Sequence, residues 1–335
     1  MARPRLLALG LLGVVLLAYP HVFTLPYQVH LFILIFLFAT LAQAWNILAG
    51  YCGQISLGNA VFFGVGAYSS TLLMRWYDLS PWLGMLVGGL LAVGLSVLIG
   101  FPVFRLRGHY FAIATIAIGE IAYIVMINWQ GGGGASGILL PILPEGLVNF
   151  QFHSAKWPYY YIALALLVVV TAVSRWVANG PLGYRFRAIR SDPEAAQSVG
   201  IDITRYKLYA LALSAFFTAL GGSLYANYVL FIDPDSAFPL SLSVLVALIA
   251  VLGGVGTLWG PIIGAAVLLP ISELTRIYFG GTGRAVDLIV YGALIVLLAV
   301  FEPGGVMAML RSADRLRRPR RPAARPAGAE RVGAD

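Results

Sequence analysis

Apolar runs close to the length of a membrane crossing recur along almost the whole chain. They fall at about residues 6–23, 29–49, 55–74, 81–104, 109–129, 158–178, 207–231, 241–255, 261–279 and 286–302. A helix rises about 1.5 Å per residue, so roughly 20 apolar residues cross the hydrocarbon of a bilayer. In that solvent an unpaired backbone amide costs several kcal/mol, which leaves the helix as the form such runs take. The expected fold is all-α and integral to the membrane, with about ten transmembrane helices. A soluble protein with a very large core is excluded, because 11% charged residues in 335 are too few to coat a surface of that size. The eighth run is short and leads into the glycine-rich "GGVGTLWGP" (253–261), so runs eight and nine are read either as two crossings or as a re-entrant pair.

The basic residues orient the crossings, since cytoplasmic loops carry the positive excess. Arg3 and Arg5 put the N-terminus inside, and alternate crossing then puts Arg105, Arg107 and the stretch 180–206 inside as well. Residues 131–156, Asp233 and Asp235 fall outside, and both termini are expected in the cytoplasm. The first run is read as an uncleaved helix rather than a signal peptide, for no small-x-small cleavage site follows it. Two domains are expected: a polytopic transmembrane domain over 1–305 and an Arg/Pro-rich tail over 306–335. From Arg311 onward the tail holds eight Arg against three acids, a net +5 of the chain's +8. With almost nothing to bury, it is expected to be disordered beside anionic membrane lipid, and no nucleic-acid partner is expected.

Little in the sequence speaks for catalysis. Cys52 is the only cysteine, and His21, His30, His109 and His153 are scattered without metal-ligand spacing, so no metal or cofactor is expected. Glu120, Glu273, Arg276 and Asp287 are the main candidates among the few ionisable residues within or near the apolar runs, and intramembrane charge is expensive enough to point to function. They do not form the relay of acids and histidines that a proton-driven pump would use.

The polar stretch "GPLGYRFRAIRSDPEAAQSVGIDITRYK" (180–207) carries the local signals of a short helix between two chain reversals. Ser191 with Glu194 three residues on fits a capping box, Pro193 suits the first turn, and Gly200 fits a C-terminal stop. Asp202 is then placed to cap the next helix. A helix of about seven residues is too short to hold itself together in water and needs a surface to rest on. Either Ala195, Ala196 and Val199 form a smooth docking face flanked by Arg185, Arg187 and Arg190, or the stretch is a solvated loop whose arginines rest at anionic lipid.

"EAAQSVG" resembles the EAA-x3-G loop of ATP-binding-cassette importer permeases, which in those families docks into a cleft on the ATPase. Glu194, Ala195, Ala196 and Gly200 match it, whereas the Ile-x-Leu-Pro part of the widest consensus is missing. Together with "WNILAGYCGQISLGNAVFFGVGAY" (45–68), "RLRGHYFAIATIAIGEI" (105–121), "RAIRSDPEAAQSVGIDITRYKLYALALSAFFTALGGSLYA" (187–226) and "LGGVGTLWGPIIGA" (252–265), it makes the chain similar to LivM-type permeases of branched-chain amino-acid importers over about residues 30–305. One departure is Asn59, where members often carry His.

The resemblance implies an inner-membrane subunit paired with a LivH-type permease, two ATPase subunits and a periplasmic binding protein. The only lysines, Lys156 after Ala and Lys207 after Tyr, fit no Walker A motif, so ATP hydrolysis is assigned to a separate chain. The glycines of 50–66, with Gln54, Ser56 and Asn59 among them, fit either close helix packing or a broken helix lining a pathway, and Glu120 is a further candidate for that lining. "GGGGASG" (131–137) reads as a flexible outer loop, a linker or a contact for the binding protein. A permease for another solute such as urea, amides or other amino acids remains open, as does a self-contained secondary transporter.

Overall fold

The computed structural model describes residues 3–22, 25–106, 108–279, 292–293 and 305–309. The tenth apolar run save 292–293, Asp287, Arg107, the side chain of Arg276 and everything beyond 309 lie outside the described residues. The remaining nine runs fall on α1 (Arg3–Val22), α2 (Pro26–Asn46), α3 (Asn59–Tyr77), α4 (Pro81–Val103), α5 (His109–Asn128), α6 (Trp157–Asn179), α9 (Ile203–Val229), α11 (Leu240–Gly253) and α12 (Gly260–Phe279). Between them stand three short helices, α7 (Pro181–Ser191), α8 (Pro193–Ser198) and α10 (Pro234–Ala237).

Six helical stretches among the described residues are long and apolar enough to cross a membrane: Pro26–Tyr51, Pro81–Val103, His109–Asn128, Trp157–Asn179, Ile203–Val229 and Pro234–Gly253. That is fewer than the ten apolar runs of the sequence. In α3, Asn59, Ser69, Ser70, Thr71 and Arg75 lower the mean hydropathy, although the helix is buried among its neighbours. α11 alone, with 14 residues, spans only about 21 Å. It reaches crossing length by continuing from α10, and α12 packs back along it.

The helices pack through small residues, because lipid offers no hydrophobic drive between them. α3 and α9 run parallel and nearly touch. A Cβ at Gly66 would stand 2.0 Å from the Ala219 carbonyl oxygen, and one at Gly222 2.0 Å from that of Phe63. The contact is sealed by polar side chains, with Ser223 Oγ donating to the Gly66 carbonyl at 2.7 Å and Asn227 Nδ2 to Ser70 Oγ at 3.2 Å. α2 lies at the centre of the subunit, 78% of its apolar window buried, and packs against α6, α9 and α12. α5 is the most peripheral, with 11% of its window buried and only Phe111 and Thr115 fully covered.

Connections gather at two opposite ends, as alternate crossing requires. At one end β1 (Ile138–Leu139) pairs antiparallel with β2 (Phe231–Ile232), Tyr123 Oη donates to Asp235 at 2.6 Å, and Trp82 Nε1 donates to the Leu147 carbonyl at 2.6 Å. Glu145 at this end accepts from the backbone N–H groups of His153 and Ser154, which together with the Ser154 hydroxyl hold its carboxyl below the usual carboxylate range. The "GGGGASG" segment, expected to be flexible, is folded into two 3-10 turns, Gln130–Gly132 and Gly134–Ser136. Gly133, Gly134 and Gly137 take positive φ there, and a Cβ at Gly137 would meet the Ile232 carbonyl oxygen at 2.5 Å. The glycines therefore permit a tight fold against β2. The other end holds α7, α8 and the breaks after α2 and α11.

Candidate functional site

α8 is built almost wholly from its caps. Asp192 is the N-cap, its side chain accepting from the backbone N–H of Glu194 at 2.9 Å and of Ala195 at 3.1 Å. The expected cap, Ser191, instead closes α7: the chain turns extended only at Asp192, so the carboxylate rather than the hydroxyl reaches the free amides. Pro193 opens the helix. At its far end Gly200 takes φ +85°, its N–H bonds the Gln197 carbonyl at 2.9 Å, and Ile201 N–H bonds the Ala196 carbonyl at 3.1 Å. This pair of bonds is a Schellman closure, which a left-handed glycine allows without strain. Asp202 caps α9 in turn, accepting from Arg205 N–H at 3.0 Å.

The face that α8 presents differs from the expected one. Ala196 is buried at 3% exposure because it turns inward beneath the helix, whereas Ala195 and Val199 are exposed, Val199 by 76%. Glu194 lies on the same open side. The three arginines are not loop residues flanking a dock but belong to α7, which the sequence reading treated as loop. Phe186 and Ile189 are buried and anchor that helix. Arg187 Nη1 donates to the Ala178 carbonyl at 2.7 Å, closing the C-terminal end of α6, while Arg185 lies over the Tyr206 ring at 5.0 Å. Arg190, exposed along its flank, donates from Nη1 to the carbonyl of Gly50.

Gly50 sits where α2 loosens. A π-helical turn, Ile47–Tyr51, continues the helix, and the chain then runs irregularly to Asn59. A second break, 254–259, separates α11 from α12 and lies against the first. Asn46, which the sequence reading passed over, joins them: its Nδ2 donates to the Thr257 carbonyl at 3.0 Å and its Oδ1 accepts from Gly256 N–H at 2.8 Å. A Cβ at Gly50 would lie 1.9 Å from Asn46 Oδ1 and 2.7 Å from Gly256 N, so only glycine fits between them. An asparagine ahead of a glycine-rich break was the available signal, though nothing local named its partner.

The four residues expected to line a pathway do not come together. Ser56 is buried and local in its bonding, its Oγ accepting from Gly58 N–H at 3.3 Å and its carbonyl accepting from Trp45 Nε1 at 2.7 Å. Asn59 is 2% exposed, and neither end of its amide finds a partner among the described residues. Gln54 is half-buried in the same break. Glu120 is elsewhere: it is exposed on α5, eleven residues or roughly 17 Å along the helix from His109. A cleft of about 330 Å³ opens between the first break and α4, α5 and α9, with Ser56 and Thr115 as its polar wall and Phe62, Phe111 and Leu211 as its apolar one. Among the described residues no group of three or more His, Cys, Asp or Glu could hold a metal ion.

Comparison with known proteins adds to this geometry. Residues 27–299 match the family described as "Branched-chain amino acid transport system / permease component". The chain is 33% identical over 297 residues to the high-affinity branched-chain amino acid transport system permease protein LivM of Salmonella typhimurium, covering 82% of this chain and 68% of that protein. The Escherichia coli LivM gives the same figures. The permease protein LivH of Salmonella typhimurium is 24% identical over 288 residues, 80% of this chain and 90% of that one. No solved structure matches.

Proposed function

The chain belongs to the family of branched-chain amino acid transport permease components, and on that premise we propose that it forms one half of the membrane pathway of an ATP-binding-cassette importer. The solutes are leucine, isoleucine and valine. A related LivH-type subunit supplies the other half, two ATPase chains supply the energy, and a solute-binding protein delivers the cargo at the β1–β2 end. In this reading α8 and both termini face the cytoplasm of the cell, and the protein is a multi-pass component of its inner membrane.

The observation that carries the reading is α8 itself. A helix of six residues is far below the length that is stable alone, yet it is capped at both ends and seated by Ala196, with Glu194, Ala195 and Val199 exposed. Such a helix serves as a rigid plug for a complementary cleft, and its Glu194, Ala195, Ala196 and Gly200 fit the EAA-x3-G pattern of coupling loops. The residues assigned to coupling are Arg187, Arg190, Pro193, Glu194, Ala195, Ala196, Val199 and Gly200. Ala196 and Gly200 act by seating and closing the helix, and the two arginines act by tying α7 to the bundle. Glu120 supports a pathway face on α5, since a carboxylate at mid-span costs about 2.5–3.5 kcal/mol against lipid and needs water or a polar subunit beside it. Gln54, Ser56 and Asn59 belong to the wall of the inner mouth, where the breaks lie.

The test is to purify the tagged protein from its native membrane in mild detergent, identify co-purifying chains, and repeat with Glu194→Arg. The wild type is expected to bring a Walker-A ATPase and a second permease. The variant, still inserted, is expected to lose the ATPase and the uptake of radiolabelled leucine. A wild type that comes out alone even after crosslinking, or a variant with normal uptake, overturns the reading.

A further inference from the structure

A helix that stops leaves its last carbonyls without partners, and the negative end of its dipole then favours a cation. At the end of α2 the cation is Arg190, 140 residues away in sequence, which donates to the Gly50 carbonyl. The same side chain lies against both breaks. A Cβ at Gly53 would stand 2.9 Å from Arg190 Cγ and 3.2 Å from its Cα, and one at Gly256 would stand 2.5 Å from Nη1 and 3.0 Å from the Gly50 carbonyl oxygen. The backbone of Arg190 is meanwhile two residues ahead of Asp192, the cap that holds α8 together. Phe186 and Ile189, 0% and 1% exposed, fix α7 to the bundle, so the arm between α8 and the breaks is short and stiff.

We propose that Arg190 is the positioning residue that couples α8 to the two breaks, so that movement of α8 shifts the Gly50 and Gly256 backbones and opens or closes the inner mouth. This rests on α8 being the ATPase dock. The guanidinium suits the task because its planar fork holds a carbonyl while its flank packs against glycine backbone. Arg190 acts through the backbone of the breaks.

The experiment uses the whole complex reconstituted in liposomes with the binding protein, and reads solute taken up per ATP hydrolysed in wild type, Arg190→Ala and Arg190→Lys. In the complex that assembles, Arg190→Ala is expected to lower the solute taken up per ATP hydrolysed by roughly tenfold, the factor that one charged hydrogen bond carries. Arg190→Lys keeps a cation that reaches the carbonyl without the fork and is expected to recover part of the ratio. A merely structural role would lower uptake and hydrolysis together, in proportion to the complex recovered, and would leave the ratio unchanged. That result, an unchanged ratio with normal uptake, or failure of both variants to assemble overturns the proposal. A wild-type complex without ATP-dependent uptake overturns the importer reading on which it rests, and the two failures are thereby distinct.

Discussion

Asn46→Ala removes a side chain that ties the end of α2 to the second break. Two hydrogen bonds go, Nδ2 to the Thr257 carbonyl at 3.0 Å and Gly256 N–H to Oδ1 at 2.8 Å. Gly256 and Thr257 are half-buried, so water reaches them in part and the loss stays near the net value of a hydrogen bond, about 1 kcal/mol each, rather than the full cost of orphaned groups. The expected destabilisation is about 2 kcal/mol, which at about 2.1 cal/mol/K of unfolding entropy per residue lowers the melting temperature of a 335-residue chain by roughly 3 °C. Asn46→Asp separates the two bonds: it keeps the acceptor for Gly256 N–H but sets a carboxylate oxygen against the Thr257 carbonyl, and is expected to be no more stable than the alanine variant. Both are read as thermal unfolding of the purified protein in one detergent, followed by tryptophan fluorescence. If Asn46→Asp melts with the wild type, the donation to Thr257 contributes nothing and the reasoning fails.

Two further outcomes follow from the caps and the outer loop. Asp192→Ala removes both N-cap bonds of α8, worth about 1 kcal/mol or roughly a fivefold shift in its formation, so recovery of the ATPase with the permease is expected to fall severalfold while Ser191→Ala leaves it unchanged; equal effects would return the cap to Ser191. In the outer loop, hydrogen bonds from Ser154 and His153 hold the Glu145 carboxyl low. A depressed folded value means that its contribution is present above the unfolded value, about 4.3, and is lost as pH falls through the folded one. Protease cleavage within 144–154 should therefore rise as pH drops below that range, and Glu145→Gln should abolish the rise.

Signals that reside in a few consecutive residues were legible in the sequence. Gly200 announced a left-handed stop, Asp202 a helix cap and Pro193 a first turn, because each acts on its own backbone. α7 was legible and missed: Pro181 opens it, and Leu182, Phe186 and Ile189 repeat at helical spacing, but the arginines between them made the stretch look like loop. The inward turn of Ala196 was not legible, since it depends on how α8 lies against α9. Nor was the bridge from Asn46 to Thr257, which closes across 211 residues. The glycines at 50, 53 and 256 signalled close approach without naming what approaches, and only the packed bundle supplies Arg190.

The placement of the breaks bears on how such a subunit can move. Within α9 or α4 a bend would unmake a ladder of backbone bonds with nothing to replace them in hydrocarbon. At the breaks the ladder has already stopped, and the links there include two bonds from Asn46, one from Arg190, one from Trp45 Nε1 to the Ser56 carbonyl and one from Leu57 N–H to Thr115 Oγ1. Each can be exchanged for water at the membrane surface at a net cost of about 1–3 kcal/mol, so the breaks can rearrange while the crossing helices stay rigid. Asn46 links the end of α2 to the second break and Arg190 links both breaks to α8. In the coupling proposed above, a push on α8 reaches the two glycine contacts, at 53 and at 256, through Arg190.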